Sequence, residues 1–116
     1  MRPEDVGRGL FPPPRFFPDA RLNFAENMFE YGDPNKAALI GAREGGAERE
    51  EVTYGELRER VRQLASAMRN VGIGKGDRVA AIISNSIVSF VICLATFSIG
   101  AIFSSSACGI FYVGYC

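Results

Sequence analysis

The stretch that decides the fold is Arg78-Val-Ala-Ala-Ile-Ile-Ser-Asn-Ser-Ile-Val-Ser-Phe-Val-Ile-Cys-Leu-Ala-Thr-Phe-Ser-Ile-Gly-Ala-Ile-Phe103. Its first six residues, 78–83, form an apolar run of strand length, which predicts a strand buried on both faces. Asn85 and Ser86 can cap a helix from about Ile87 to Ser98, and residues 101–103 give a second short strand. The order strand, helix, strand predicts a right-handed crossover between parallel strands, and hence an α/β fold.

A second helix is predicted immediately upstream of this unit. Thr53 and Glu56 have the Thr-x-x-Glu spacing of a capping box, in which each side chain accepts a hydrogen bond from a backbone N–H at the start of the helix. Gly72 supplies the left-handed stop. Apolar residues recur at intervals of four and three and define one buried face, formed by Leu57, Val61, Leu64, Met68 and Val71.

The region before this helix predicts a β-hairpin and a short helix. Residues 37–42 and 51–54 are candidate strands, joined by a loop at Gly45-Gly46. Asn23 and Glu26 mark the start of an amphipathic helix over residues 24–31. Its apolar side chains Phe24, Met28 and Tyr31 are expected to share its buried face.

The overall charge excludes several classes of function. The 116 residues carry 13 basic and 13 acidic side chains, so the chain has no electrostatic basis for binding nucleic acid or an anionic membrane. Histidine, the commonest general base and metal ligand, is absent from the sequence. Three cysteines with wide spacing are typical of free thiols in a reducing compartment. Together with an N-terminus that lacks a signal-peptide pattern, they predict a cytoplasmic protein.

All 26 charged residues lie within positions 1–78, and the last 38 residues carry no charge. Every part of a complete globular domain contributes polar, solvent-exposed surface, so an uncharged last third has two competing interpretations. Either this last third lies inside a larger fold, or the chain is a small membrane-associated or single-span protein. Residues 79–103 are long enough to span a bilayer, but polar residues interrupt the run and no basic flank follows it. These features favour the larger fold.

The glycine-rich segment Gly72-Ile-Gly-Lys-Gly76 is similar in composition to a phosphate-binding loop. Such a loop follows a strand and opens a helix, whereas this segment follows a predicted helix and precedes a predicted strand. Its lysine is followed by Gly76 rather than by Ser or Thr. The pattern therefore indicates a tight turn from helix to strand, and not a nucleotide site.

Four strings resemble the acetoacetyl-CoA synthetase family, in the acyl-CoA synthetase branch of the adenylate-forming enzymes. They are Phe17-Pro-Asp-Ala-Arg-Leu-Asn-Phe-Ala-Glu-Asn27, Val52-Thr-Tyr-Gly-Glu-Leu57, Gly74-Lys-Gly-Asp-Arg-Val79 and Leu94-Ala-Thr-Phe-Ser-Ile-Gly-Ala-Ile-Phe-Ser-Ser105. They occur in the family's order and at compatible spacing. The resemblance implies an incomplete N-terminal part of the family's large domain, with a Pro-rich arm over residues 1–20, the start of the synthetase/ligase domain over 21–106, and a divergent tail over 107–116.

The resemblance also implies the chemistry of the parent family, which joins acetoacetate to coenzyme A through an acyl-adenylate and uses ATP, Mg²⁺ and CoA. Two departures stand out: Ser84 replaces the family's usual proline, and the family's pattern is lost after Ser106. No lysine follows Lys75 and no acid follows Asp77, so the parts that carry the reaction are absent. We therefore assign no catalytic, cofactor-binding or metal-binding residue to this chain and expect it to be inactive alone.

Three serines are the best candidates for site residues in this sequence. By the resemblance, Ser104, Ser105 and Ser106 would border the acyl or CoA channel of a complete enzyme. The alternative, which the residues favour, is hydrogen bonding at the end of a strand. The remaining expectation is a partner: a full-length relative with which the chain associates as a non-catalytic module.

Overall fold

A computed structural model describes residues 18–42 and 49–107. Its elements, in chain order, are α1 (Phe24–Glu30), β1 (Ala37–Ala42), β2 (Arg49–Thr53), α2 (Tyr54–Asn70), β3 (Arg78–Ile82), α3 (Ile87–Ser98) and β4 (Ile102–Ser106). β1 and β2 pair antiparallel, and β3 and β4 pair parallel. The predicted α/β fold, with a hairpin and a parallel strand-helix-strand unit, is therefore confirmed. The Gly45-Gly46 loop and most of the predicted arm and tail lie outside the described residues.

The capping box predicted for α2 is present in full. The Thr53 N–H donates to Oε2 of Glu56 over 3.0 Å, and the Glu56 N–H donates to Oγ1 of Thr53 over 3.2 Å. The buried stripe of α2 differs from the prediction at its C-terminal end. It consists of Leu57, Val61, Ala65 and Met68, with Leu64 half-buried at its edge. Val71 is 76% exposed, since it is the C-cap and its backbone has already left the helix.

The strand-helix-strand unit has the predicted order, with α3 over the predicted residues. Gly100, at φ +75°, ends the α3 turn, and its N–H donates to the carbonyl of Phe97 over 3.0 Å. The expectation that β3 is buried on both faces is wrong, because half-buried and exposed residues alternate along it. In the described residues α3 packs against β4, and α2 packs against α3 and against the hairpin strands β1 and β2.

Asn23 holds α1 onto the rest of the core. Its Oδ1 accepts hydrogen bonds from the N–H groups of Ala25 and Glu26, while its Nδ2 donates to the carbonyl of Phe97 over 2.9 Å. The side chains that α1 turns inward are Ala25, Met28 and Phe29. The predicted face was therefore wrong at Phe24 and Tyr31, which are 62% and 86% exposed.

Edge-on contacts between three phenylalanine rings connect α1, α3 and β4. The Phe97 ring lies edge-on to Phe24, with centroids 5.7 Å apart, and edge-on to Phe103, with centroids 6.2 Å apart. The largest fully buried side chains of the described residues are Leu57, Leu94, Val52 and Thr96. The Thr96 hydroxyl donates to the carbonyl of Ile92 over 2.8 Å, so this buried polar group is satisfied within its own helix.

Within residues 18–42 and 49–107, no helix has the combination of length and apolarity that crossing a bilayer requires. The uncharged run that suggested a span is divided among β3, the 12-residue α3 and β4.

Candidate functional site

The first candidate site is the carboxyl edge of the parallel strands. In α/β sheets, ligands bind beyond the carboxyl ends of the strands. Ile82 of β3 lies opposite Ser106 of β4, and the Ile83 N–H donates to the Ser106 carbonyl over 3.1 Å. The chain then passes through Ser84 and Asn85 into α3, so the two strand ends and the start of α3 form one edge.

The three candidate serines lie within β4 rather than after it. Ser104, Ser105 and Ser106 stand opposite Ala80, Ala81 and Ile82 in the parallel register. Ser104 and Ser105 are exposed, and Ser106 is half-buried. Their backbone belongs to the parallel pairing of β3 and β4. Of the three, Ser106 lies at the carboxyl end of the strand pair, opposite Ile82.

A shallow cleft of about 260 Å³ lies beside this edge, between β1 and the start of α3. Its walls include Leu39, Ile40, Gly41, Asn85 and Phe90. At the helix start, the Ser86 N–H donates to Oγ of Ser89 over 3.2 Å. None of the lining residues is ionisable, so the cleft can enclose an uncharged group and donate or accept hydrogen bonds, but it offers no acid or base.

The glycine-rich turn lies at the other end of β3 and uses its own N–H groups. The Gly74 N–H donates to Oδ2 of Asp77 over 2.8 Å, and the Gly76 N–H donates to the Gly100 carbonyl over 3.0 Å. The Gly72 N–H donates to the Arg69 carbonyl over 3.0 Å. A phosphate-binding loop must point such groups at its ligand. The prediction of a structural turn is therefore confirmed.

A groove of about 600 Å³ lies beside α1 and α2, and the sequence patterns did not reveal it. Arg58 dominates it: the guanidinium carbon lies 5.6 Å from the centroid of the Phe29 ring, and Nη2 donates to the Phe29 carbonyl. Glu26, Glu30 and Arg21 complete a lining of mixed charge. In the sequence, the only indication of this groove is the position of Arg58 on the polar face of α2.

The shifted ionisable groups do not converge on any of these places. Hydrogen bonds from Arg62 and Gln63 lower the pKa of Glu59 to about 2. Hydrogen bonds from the backbone and hydroxyl of Thr53 lower the pKa of Glu56. Both carboxylates are on the solvent side of α2. Burial raises the pKa of the Cys93 thiol, which keeps it protonated and a poor nucleophile at neutral pH.

The described residues also fail to form a metal site. Across 18–42 and 49–107, no three His, Cys, Asp or Glu side chains lie close enough to hold one ion. Asp77, the last acid in the sequence, accepts a hydrogen bond within its own turn. The residues of the carboxyl edge therefore do not fit a divalent cation.

Comparison with known proteins places these features in one family. The family described as AMP-binding enzyme matches residues 27–105. The chain is 43% identical over 103 residues to the acetoacetyl-CoA synthetase of Rattus norvegicus, covering 89% of this chain and 15% of the relative. It is 45% identical over 91 residues to the acetoacetyl-coenzyme A synthetase of Rhizobium meliloti strain 1021, covering 78% of this chain and 14% of the relative.

Solved structures agree with this relationship. The acetoacetyl-CoA synthetase from Streptomyces lividans superposes with a TM-score of 0.75 at 34% identity, covering 81% of this chain and 15% of that one. The Klebsiella oxytoca NpsA N-terminal subdomain gives a TM-score of 0.61 at 28% identity, covering 73% of this chain and 20% of that one. The chain thus spans about 15% of the length of the curated relatives it matches.

Proposed function

The chain belongs to the AMP-binding enzyme family, and we propose that it is the N-terminal part of an acetoacetate–CoA ligase and has no ligase activity alone. The similarity to acetoacetyl-CoA synthetases from animals and from a bacterium supports the choice of acid. The superposition on the enzyme from Streptomyces lividans supports the same choice.

The parent reaction we propose is the joining of acetoacetate to coenzyme A at the expense of ATP, through an acetoacetyl-adenylate. The acid must first displace pyrophosphate from ATP, because a carboxylate oxygen is a poor leaving group and AMP is a good one. Stabilising the charge that develops on the transferred phosphoryl group takes cations and aligned N–H donors. This reaction belongs to lipid and ketone-body metabolism, and we place it in the cytoplasm because the cysteine spacing is typical of a reducing compartment.

One observation carries the proposed inactivity. The carboxyl edge, where this fold type binds ligands, is lined by serine, asparagine and apolar residues, and the sequence holds no charged residue after Arg78. ATP and Mg²⁺ are recognised through basic and acidic side chains, and the edge has neither. The residues of this chain therefore form a wall of a site whose charged members belong to other parts of the parent enzyme.

The experiment is an ATP–pyrophosphate exchange assay with acetoacetate, run on the chain alone and on a chimera. In the chimera, this chain replaces the matching segment of the Rattus norvegicus enzyme. We expect background exchange from the chain and acetoacetate-dependent exchange from the chimera.

Two outcomes would contradict the proposal. Exchange by the chain alone would contradict its inactivity. A chimera that is soluble and folded by circular dichroism but prefers another acid, or is inactive with every acid tested, would contradict the assignment to acetoacetate. A second chimera, which exchanges only residues 52–106, serves if the larger replacement does not fold.

A further inference from the structure

Each end of α1 is tied to another helix by one side chain. At the amino end, Nδ2 of Asn23 donates to the carbonyl of Phe97 in α3 over 2.9 Å. At the carboxyl end, Nη2 of Arg58 in α2 donates to the carbonyl of Phe29. The Phe29 carbonyl is among the final carbonyls of the helix, which have no partner within it. Both contacts therefore use a backbone acceptor close to the end of a helix.

The apolar contacts that hold α1 are few. The helix has seven residues, which is too short to be stable in water without packing. Ala25 is its one buried residue, and Met28 and Phe29 are partly buried. Among the described elements, α3 is the one against which α1 packs closely. The Phe24 ring lies edge-on to Phe97 there, but Phe24 is 62% exposed.

The packing of α2 against α3 does not pass through α1. These two helices pack directly on each other, and each contributes a fully buried leucine, Leu57 and Leu94. Segments with few buried apolar contacts open at a lower free-energy cost than such a core. After α1, the Lys36 N–H donates to the Asp33 carbonyl over 3.0 Å, so residues 31–32 lie between the helix and an ordered turn. They are the hinge about which α1 can move.

We propose that α1 is a lid on α3 that opens as one unit while α2 and α3 stay folded, with Asn23 and Arg58 as its two latches. The side chain of Asn23 has two separate roles in the closed state. Its Oδ1 caps α1 by accepting from the N–H groups of Ala25 and Glu26, and its Nδ2 reaches across to α3. Opening of the lid exposes Ala25 and the side of α3 that carries Phe97.

The test is amide hydrogen exchange of the full chain at low micromolar concentration, resolved to single residues by mass spectrometry. The helical hydrogen bonds of α1 begin with the Asn27 N–H, which donates to the Asn23 carbonyl over 3.1 Å, so the amides of residues 27–30 report the closed lid. The amides of Val61 and Ala65 report the core of α2. We expect residues 27–30 to exchange together, about tenfold or more faster than the α2 amides and more slowly than in an unstructured peptide.

Asn23→Ser removes the bridge to α3 and keeps the cap. Serine is as good an N-cap as asparagine, but its hydroxyl is too short to reach the Phe97 carbonyl. The loss of one hydrogen bond is expected to speed exchange of all the amides 27–30 about fivefold and to leave the α2 amides unchanged.

Arg58→Lys releases the other latch. Lysine keeps the charge of Arg58 but lacks the planar fork that contacts both the carbonyl and the ring of Phe29. We expect faster exchange at the same amides, 27–30. A response at the end of α1 far from each substitution distinguishes opening as a unit from fraying of the nearer end.

Asn27→Ala is the matched control. Nδ2 of Asn27 also donates to a carbonyl over 2.9 Å, but its acceptor, Asn23, lies at the start of the same helix. The higher helix propensity of alanine offsets the lost hydrogen bond, so exchange is expected to stay within about twofold of the parent chain.

Each alternative result would overturn the inference. Equal exchange of α1 and α2 amides in the parent chain would show that α1 opens only with the core, and unprotected amides at 27–30 would show that the closed lid does not form. Asn23→Ser without effect, with an effect at its own end alone, or with an effect no larger than that of Asn27→Ala would remove Asn23 as a latch. Lost protection in α2 as well would make α1 part of the core.

Discussion

The two longer helices, α2 and α3, show what distinguishes the two halves of the chain. α2 has 17 residues, most of them exposed and many charged, and buries one stripe against the core. α3 has 12 residues and no charge, and Val88 is its only exposed side chain. α2 is suited to a surface between core and water, whereas α3 is suited to the interior of a layered protein. The distribution of charged residues along the sequence therefore reflects whether a helix faces solvent, as α2 does, or packs mainly against other parts of the protein, as α3 does.

The largest expected effect comes from replacing the buried leucines of the two helices. Leu57 in α2 and Leu94 in α3 are both fully buried. Leu57→Ala and Leu94→Ala are each expected to lower the free energy of unfolding by about 2–5 kcal/mol, through lost burial and a residual cavity. Hydrogen exchange of the helix amides, measured at low micromolar concentration, checks this. Val88→Ala, at a 57% exposed position of α3, is the control and is expected to change little. An equally large loss at Val88 would contradict the core assignment.

The next effect tests the turn that joins α3 to β4. Gly100 has φ +75°, and a Cβ added there would lie 3.3 Å from Cγ of Lys75. Gly100→Ala is expected to destabilise the chain by about 1–2 kcal/mol, because an L-residue is strained in this conformation. Gly72→Ala has a similar φ of +90° but open space around its Cβ, so it isolates the backbone contribution. Thermal unfolding compares the two; a smaller loss at Gly100 than at Gly72 would contradict the described packing of this turn.

The capping of the two helices gives a smaller, pH-dependent contrast. Thr53→Ala is expected to cost about 1 kcal/mol at neutral pH, as a lost N-cap does. The pKa of Glu56 is lowered in the folded chain, so its contribution is present above the unfolded pKa and is lost as pH falls through the folded pKa. Ser89→Ala at the start of α3 removes an uncharged acceptor.

Stability measured from pH 6 down to pH 3 separates the two caps. The loss caused by Thr53→Ala is expected to shrink as the pH falls, while that of Ser89→Ala stays constant. A constant loss at Thr53 would show that the carboxylate of Glu56 takes no part in the cap.

The smallest effect is expected at Glu59–Arg62, the ion pair with the shortest distance among the described residues. Nη2 of Arg62 lies 2.7 Å from Oε1 of Glu59, and hydrogen bonds from Arg62 and Gln63 lower the pKa of Glu59 to about 2. Both side chains are largely exposed, so solvent screens the pair. Glu59→Gln is expected to leave the unfolding midpoint at pH 7 unchanged within error, and a clear loss would contradict this. NMR titration of Glu59 checks the pKa.

Local signals predicted more of this fold than of its site. The Thr53–Glu56 box and Gly100 marked helix ends because capping depends on residues within a few positions of each other. The contact from Asn23 to Phe97 joins residues 74 positions apart, and no local pattern reveals it. For the same reason, the inward face of α1 was predicted wrongly at Phe24 and Tyr31 and correctly at Met28.

The burial of β3 was mispredicted for a different reason. The apolar sequence of β3 is typical of a strand that is covered on both faces. The described residues cover only one of its faces, so alternate residues of β3 are exposed. At the site, the prediction that the glycine turn is structural was confirmed by its hydrogen bonds. The exposure of Ser104 and Ser105 depends on the register of β4 against β3, which composition does not encode.

The central claim is that residues 79–106 evolved inside a larger protein body, and sedimentation velocity of the purified chain tests it most directly. The exposed isoleucines Ile82 and Ile102 and the open edges of the strand pair β3–β4 are expected to drive self-association. The account predicts a weight-average mass that rises with concentration from the low micromolar range upward, together with a broad thermal transition. A monomer at every concentration, unfolding in one sharp cooperative step, would contradict it.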